Sequence, residues 1–195
     1  MYDNTETKII EQLYLNKEIH KRELARRLKL TMPSIDNSLK KIKSIVKIKK
    51  IGNQLHLSLD YSKKQLIPYL YSIEIGRLNR FPKEIQWTID KFLFYLKNKP
   101  LLTIIFGSYA KGNYNKDSDI DILVVFQTVD EKDCENSAKR ANMEFNTKLS
   151  PVYLTYDNFK SSYYQSNKEF FNKLKQDKII LNGIEWWRQI ENESS

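Results

Sequence analysis

Three aspartates at alternate positions, Asp117, Asp119 and Asp121, stand near the end of the stretch FGSYAKGNYNKDSDIDILVV, residues 106–125. DIDILVVF reads as a strand, on which residues i and i+2 point the same way. Asp119 and Asp121 therefore project together, while Ile120 and Ile122 enter a core. Two carboxylates side by side offer hard oxygen ligands to Mg²⁺, with the other coordination positions left to water and nucleotide phosphates. The Gly107-Ser108 turn offers the complementary half of such a site. Glycine permits close approach, backbone N–H groups at the start of the helical turn YAKG favour phosphate, and the Ser108 hydroxyl adds a donor.

Two other motifs share part of this pattern and fail by letter. Gly107 to Gly112 has the Gly-x4-Gly frame of a P-loop, but Asn113-Tyr114 stands where Lys-Ser/Thr is required. Asp117, Asp119 and Asp121 begin like a calcium loop, but Ile122 replaces the glycine and Thr128 the bidentate glutamate.

The elements that position these residues are short and apolar. LLTIIF forms a buried strand ended by Gly107, and SPVYLTY, residues 150–156, is a later strand. Upstream, TETKIIEQLYLN spaces Ile9, Ile10, Leu13 and Leu15 near a helical period behind Thr5 as N-cap. A second helix runs from about His20 to Leu28. Thr31 caps a third helix, with Pro33 in its first turn and Ile35, Leu39 and Ile42 as its apolar stripe. IVKIKK and QLHLSL then alternate around Gly52-Asn53 as a hairpin. Residues 61–81 and 82–98 read as two connecting helices, the first interrupted at Pro68 and the second starting at Pro82, with Ile85, Ile89, Phe92, Leu93 and Leu96 inward. The aromatic residues of this segment read as packing, as do Trp186 and Trp187.

Charge is unevenly distributed along the 195 residues. Residues 1–60 hold 13 basic and 7 acidic side chains, 61–100 hold 8 and 3, and 101–195 hold 12 and 14. A polyanion partner is expected for the front half and a different role for the back. The single cysteine, Cys134, cannot form an internal disulfide, the polar, partly acidic start MYDNTETKII does not read as a signal peptide, and LLTIIF and ILVVF are too short to span a bilayer. A cytoplasmic protein that makes no use of a membrane is expected. His20 and His56 lack zinc-like spacing and read as surface residues.

ELARRLKLTMPSIDNSLKKI resembles the helix-turn-helix of winged-helix regulators, with Ala25 as the small residue of the second helix and Leu30-Thr31 at the turn. Opposite the apolar stripe of the third helix lie Pro33, Asn37, Lys40, Lys41 and Ser44. Asparagine can bond adenine bidentately and lysine can reach guanine or phosphate. Ser34, Asn37, Lys40 and Lys41, with Lys49 and Lys50 of the hairpin, are the candidate DNA-binding residues, and double-stranded DNA is the expected partner.

Gly-Ser, ten residues, then Asp-Ile-Asp within apolar strands resembles the nucleotidyltransferases of the DNA polymerase β superfamily, most closely the minimal nucleotidyltransferases. The closing phrase NKLKQDKIILNG is similar to the end of those domains. The resemblance implies two-metal Mg²⁺ catalysis that joins an NTP α-phosphate to a nucleophile and releases pyrophosphate. Gly107 and Ser108 would bind the nucleotide, and Asp119 and Asp121 would be the metal ligands and catalytic carboxylates. It also implies a protein partner of the small helical toxin type, and a homodimer is compatible with it. Active members usually carry a third carboxylate on a later strand. SPVYLTY contains none: aligning its Pro-Val step puts Tyr153 at that position, and Asp157, just beyond, reads as a helix N-cap. The alternatives are a nucleotidyltransferase delivered to DNA or another acceptor, and a DNA-binding regulator or antitoxin that senses nucleotide through a catalytically weak domain. The expected fold is α+β: a winged helix-turn-helix domain over 1–60, a helical connector over 61–98, a nucleotidyltransferase-type α/β domain with a mixed sheet over 99–185, and a C-terminal tail over 186–195.

Overall fold

A computed structural model describes residues 4–165 and 169–193, which divide into two compact units at about residue 73. In the first unit, α1 (Thr5–Asn16), β1 (Glu18–His20), α2 (Lys21–Leu28) and α3 (Met32–Lys41) precede a hairpin of β2 (Val46–Ile51) and β3 (Gln54–Leu59). The three strands form one antiparallel sheet in the order β1-β3-β2. The helices follow from their caps and stripes. Asn4, rather than Thr5, caps α1 by accepting from the Thr7 N–H at 2.8 Å, and the Thr31 side chain caps α3. Ile9, Ile10 and Leu13 are buried, as are Ile35, Leu39 and Ile42, whereas Leu15 of the expected stripe is 44% exposed and Tyr14 takes the inward position.

Strand β1 adds a cross-strand pair that brings together two residues expected at the surface separately. His20 lies opposite His56 with ring centroids 3.9 Å apart, both are half-buried, and His56 Nδ1 is 2.5 Å from Glu18. Pro68 lies where the helical stretch changes type: a 3₁₀ turn over Lys64–Leu66 runs directly into α4 (Ile67–Leu78), of which Pro68 is the second residue.

In the second unit a four-stranded mixed sheet has the order β6-β5-β4-β7, formed by β4 (Leu102–Ile105), β5 (Ile120–Phe126), β6 (Leu149–Thr155) and β7 (Ile179–Asn182). β5 runs parallel to β6 and antiparallel to β4, and β4 is antiparallel to β7. This is the α+β architecture with a mixed sheet expected for the C-terminal part. Ile120, Ile122, Val124 and Phe126 pack on one face with Ile89 and Phe92 of α5 (Lys83–Tyr95), with Leu96 just after it, and with Cys134, Ala138 and Ala141 of α7 (Glu131–Phe145). Helix α5 is therefore part of this unit's core. Leu123 and Val125 point the other way and are also buried, with α8 (Tyr156–Tyr164) against β5 and β6. Phe159 of α8 meets Phe171 of α9 (Glu169–Gln176) and Trp187 of α10 (Ile184–Glu193). Trp187 is 1% exposed, as packing requires, and Trp186 lies edge-on to Tyr156. Among the described residues no helix is long and apolar enough to cross a membrane.

Candidate active site

The site is built at the end of β4. All four residues of β4 are buried, and the chain leaves it through Phe106 into α6 (Gly107–Lys111), a single helical turn closed by Gly112 in the left-handed region. Gly107 has φ +67°, a conformation that favours glycine. The space above it excludes a side chain as well: a Cβ on Gly107 would overlap Asp121 Oδ2 and lie 3.0 Å from its Cγ. The carboxylate of Asp121 thus lies directly over the turn whose first N–H groups have no intrahelical partner.

Backbone bonds hold the two halves of the motif in register. Phe106 N–H donates to the Asp121 carbonyl at 3.0 Å, and Ile120 N–H to the Lys148 carbonyl at 2.7 Å. Asp119 immediately precedes β5 and is delivered by a closed turn. Asn115 N–H donates to Ser118 Oγ at 2.9 Å, and Asp117 N–H to Asn115 Oδ1 at 2.9 Å. Asp117 stays exposed in that turn; Asp119 and Asp121 share one face at the head of the strand.

Helix α6 is braced from behind. Tyr109 stacks on Tyr114 with centroids 4.3 Å apart and planes 8° apart, and Phe81 meets both rings edge-on. Arg77, paired with Glu74 at 3.0 Å, donates to the Lys178 carbonyl at 2.5 Å and reaches the Ala110 carbonyl at 3.5 Å. Sequence reading did not single out Arg77, because the partners it joins lie 33 and 101 residues away. Phe106 and Phe170 meet edge-on at 5.1 Å.

Burial, and then the neighbouring Asp119 charge, raise the pKa of Asp121 above the usual carboxylate value. A half-buried carboxylate beside a second like charge, seated over helix-start N–H groups, would suit a divalent cation, which would neutralise the pair. Among the described residues no cluster of three or more His, Cys, Asp or Glu side chains could hold a metal ion, so the two aspartates would need oxygens from water or phosphate to complete the shell.

The register corrects the position assigned to a third carboxylate. Asp121 pairs with Ser150, Leu123 with Val152 and Val124 with Tyr153. Tyr153 therefore shares the face of Val124, packs into the α5/α7 core and bonds Glu135 at 3.3 Å, away from the aspartates. The β6 residues on the Asp121 face are Ser150 and Val152, both exposed. Asp157 does not cap α8, since the Thr155 side chain does so. It also lies beyond Thr155, which pairs with Phe126, five residues along β5 from Asp121 and about 16 Å away at the strand rise.

The family profile for the nucleotidyltransferase domain matches residues 85–193, more than half of the chain. The chain belongs to the nucleotidyltransferase domain family. It is also 36% identical over 61 residues to a Methanocaldococcus jannaschii protein provisionally named as a protein adenylyltransferase; the match spans 29% of this chain and 62% of that protein. Two crystal structures of toxin–antitoxin proteins, one with AMP-PNP and one a mutant of MntA-HpeT, are each 20% identical with a TM-score of 0.41. The first match covers 55% of this chain and 80% of the other, and the second 57% and 82%.

The raised pKa of Asp121 has a consequence for stability. The folded state binds this proton more tightly than the unfolded chain, so the group's contribution is favourable when protonated and is lost as pH rises through the folded pKa. Asp121→Asn is therefore expected to raise the thermal midpoint of the metal-free protein at neutral pH. The gain should shrink as pH falls toward the normal carboxylate range. Scanning calorimetry across that range checks it, and a midpoint lowered at neutral pH would contradict it.

Proposed function

We propose that this chain binds an NTP with Mg²⁺ at Asp119 and Asp121 and transfers its NMP to a macromolecular acceptor, slowly unless the acceptor or a bound partner assists. The observation that carries this reading is the Asp121 carboxylate seated over the Gly107 turn, with Asp119 beside it. Gly107 and Ser108 would hold the phosphates through N–H groups and a hydroxyl. Both aspartates would hold the metal, which when bound supplies charge neutralisation on the phosphates and the leaving pyrophosphate. The name of the Methanocaldococcus relative favours AMP as the transferred group and a protein as the acceptor.

A second reading, a nucleotide-sensing regulator or antitoxin-type protein with a catalytically weak domain, is favoured by the β6 face. In-line attack needs the acceptor oxygen deprotonated, and Ser150 and Val152 stand where a carboxylate could serve. Incubation with α-labelled ATP and candidate protein acceptors separates the two. Slow labelling that is lost in Asp121→Asn is expected, with Val152→Asp raising the rate at least about tenfold, a modest share of what a well-placed general base supplies. Tight Mg·ATP binding with no label in either protein would favour the sensor.

For the N-terminal unit we propose a winged helix that binds duplex DNA. Asn37, Lys40 and Lys41 are exposed on α3, and Ser34 donates its N–H to the Thr31 side chain. Lys41 is 3.0 Å from Glu6, and the Arg26 and Arg27 guanidiniums hold Glu23 down to about 2, so part of the positive charge is already paired. Adjacent positions on β2 face opposite ways, so Lys49 and Lys50 would reach phosphates on opposite sides of the hairpin; Lys49 lies on the His56 face. DNA affinity is expected to fall steeply with salt, and Lys40→Ala with Lys41→Ala to reduce the log–log slope by about 1 for each phosphate these lysines neutralise. Binding without salt dependence in a fluorescence-anisotropy titration would contradict it.

A further inference from the structure

The strand beside the carboxylate pair is entered through Lys148, a residue to which neither the motif nor the family resemblance gives a role. The bond from Ile120 N–H to the Lys148 carbonyl extends the ladder that pairs Ile120 with Leu149, and so brings Lys148 level with Asp119. Leu149 is turned into the α5/α7 core. Strand alternation turns Ser150 to the opposite face, that of Asp121, and the same alternation carried one residue back from the start of β6 assigns Lys148 to that face as well.

The backbone here is fixed by several independent bonds. Asn142 Oδ1 accepts from Leu149 N–H at 2.7 Å while its Nδ2 donates to the Leu149 carbonyl at 3.1 Å. Thr147 N–H donates to the Asn142 carbonyl at 3.2 Å, and the Thr147 and Thr88 hydroxyls share a bond of 3.0 Å. The Lys148 side chain is exposed, and among the described residues no carboxylate pairs with it. The anchored Lys148 backbone runs one strand spacing, about 4.8 Å, from the backbone that carries the carboxylate pair, and a long cationic side chain at that position is suited to the remaining negative charge of a metal-bound polyphosphate.

We propose that Lys148 is a phosphate-binding residue of this site, acting from the β6 side of the carboxylate pair while the Gly107-Ser108 turn acts from the β4 side. The assignment rests on the Mg·NTP reading above. Calorimetric titration of the full chain with Mg·AMP-PNP tests it, using wild type, Lys148→Met, Lys148→Arg and the double variant Asp119→Asn with Asp121→Asn. Lys148→Met is expected to raise Kd about tenfold, Lys148→Arg to stay within about threefold of wild type, and thermal midpoints to be unchanged because the side chain is exposed. An unchanged Kd in Lys148→Met, with wild type binding and the aspartate double variant not binding, overturns the role of Lys148 alone. Failure of wild type itself to bind Mg·AMP-PNP would overturn the underlying reading and this assignment with it.

Discussion

Two carboxylates of like charge are held side by side at the head of β5, where the partial burial of Asp121 removes some of the water that would otherwise screen their repulsion. Much of the second unit can be understood as the scaffold this requires. Ile120 and Ile122 anchor the strand in a core on one face, which leaves the intervening Asp121 no choice but the other. Phe106 fixes the Asp121 backbone from the β4 side and Lys148 fixes Ile120 from the β6 side. Gly107 accommodates the carboxylate by having neither a Cβ nor a preference against positive φ. A scaffold that keeps unfavourable charges together gains from a cation, and the same rigidity orients the carboxylates before one arrives.

The mixed direction of the sheet determines what else can reach the pair. Because β6 runs parallel to β5, its first residues stand beside Asp119 and Asp121 and its last lie at the far end, carrying Asp157 away. Ser150 and Val152 are consequently the strand neighbours of the site, with Lys148 before them. Compared with the family pattern, this edge offers a cation and a hydroxyl where a base would be useful. That composition suits holding a polyphosphate better than activating an acceptor, and it is why slow transfer and nucleotide sensing are neighbouring readings of one geometry.

The parts of this arrangement legible in the sequence were those governed by local rules. The period of two in DIDILVV placed the aspartates on a shared face, Gly52-Asn53 marked the hairpin, and Thr31 marked the start of α3. Three-residue β1 was not legible, since it is too short for a period and exists by pairing with β3. Tyr153 was misplaced because side-chain facing follows from hydrogen-bond register with β5, which no local alignment of a Pro-Val step contains. Helix α7 buries Cys134, Ser137, Ala138 and Ala141, a stripe of small residues that a search for large apolar side chains passes over. Its i, i+3, i+4, i+7 spacing was the available signal. Arg77 was invisible for a simpler reason: its distant partners are carbonyls, which carry no side-chain signature.

The claim on which the rest depends is that Asp119 and Asp121 together hold a divalent cation. Anomalous diffraction from crystals of the full chain soaked with Mn²⁺ and AMP-PNP locates such an ion directly. The expected result is a peak within about 2.5 Å of an oxygen from each carboxylate, on the side facing Gly107 and Ser108. A protein that binds AMP-PNP with no manganese at these aspartates, or with manganese elsewhere, would contradict it.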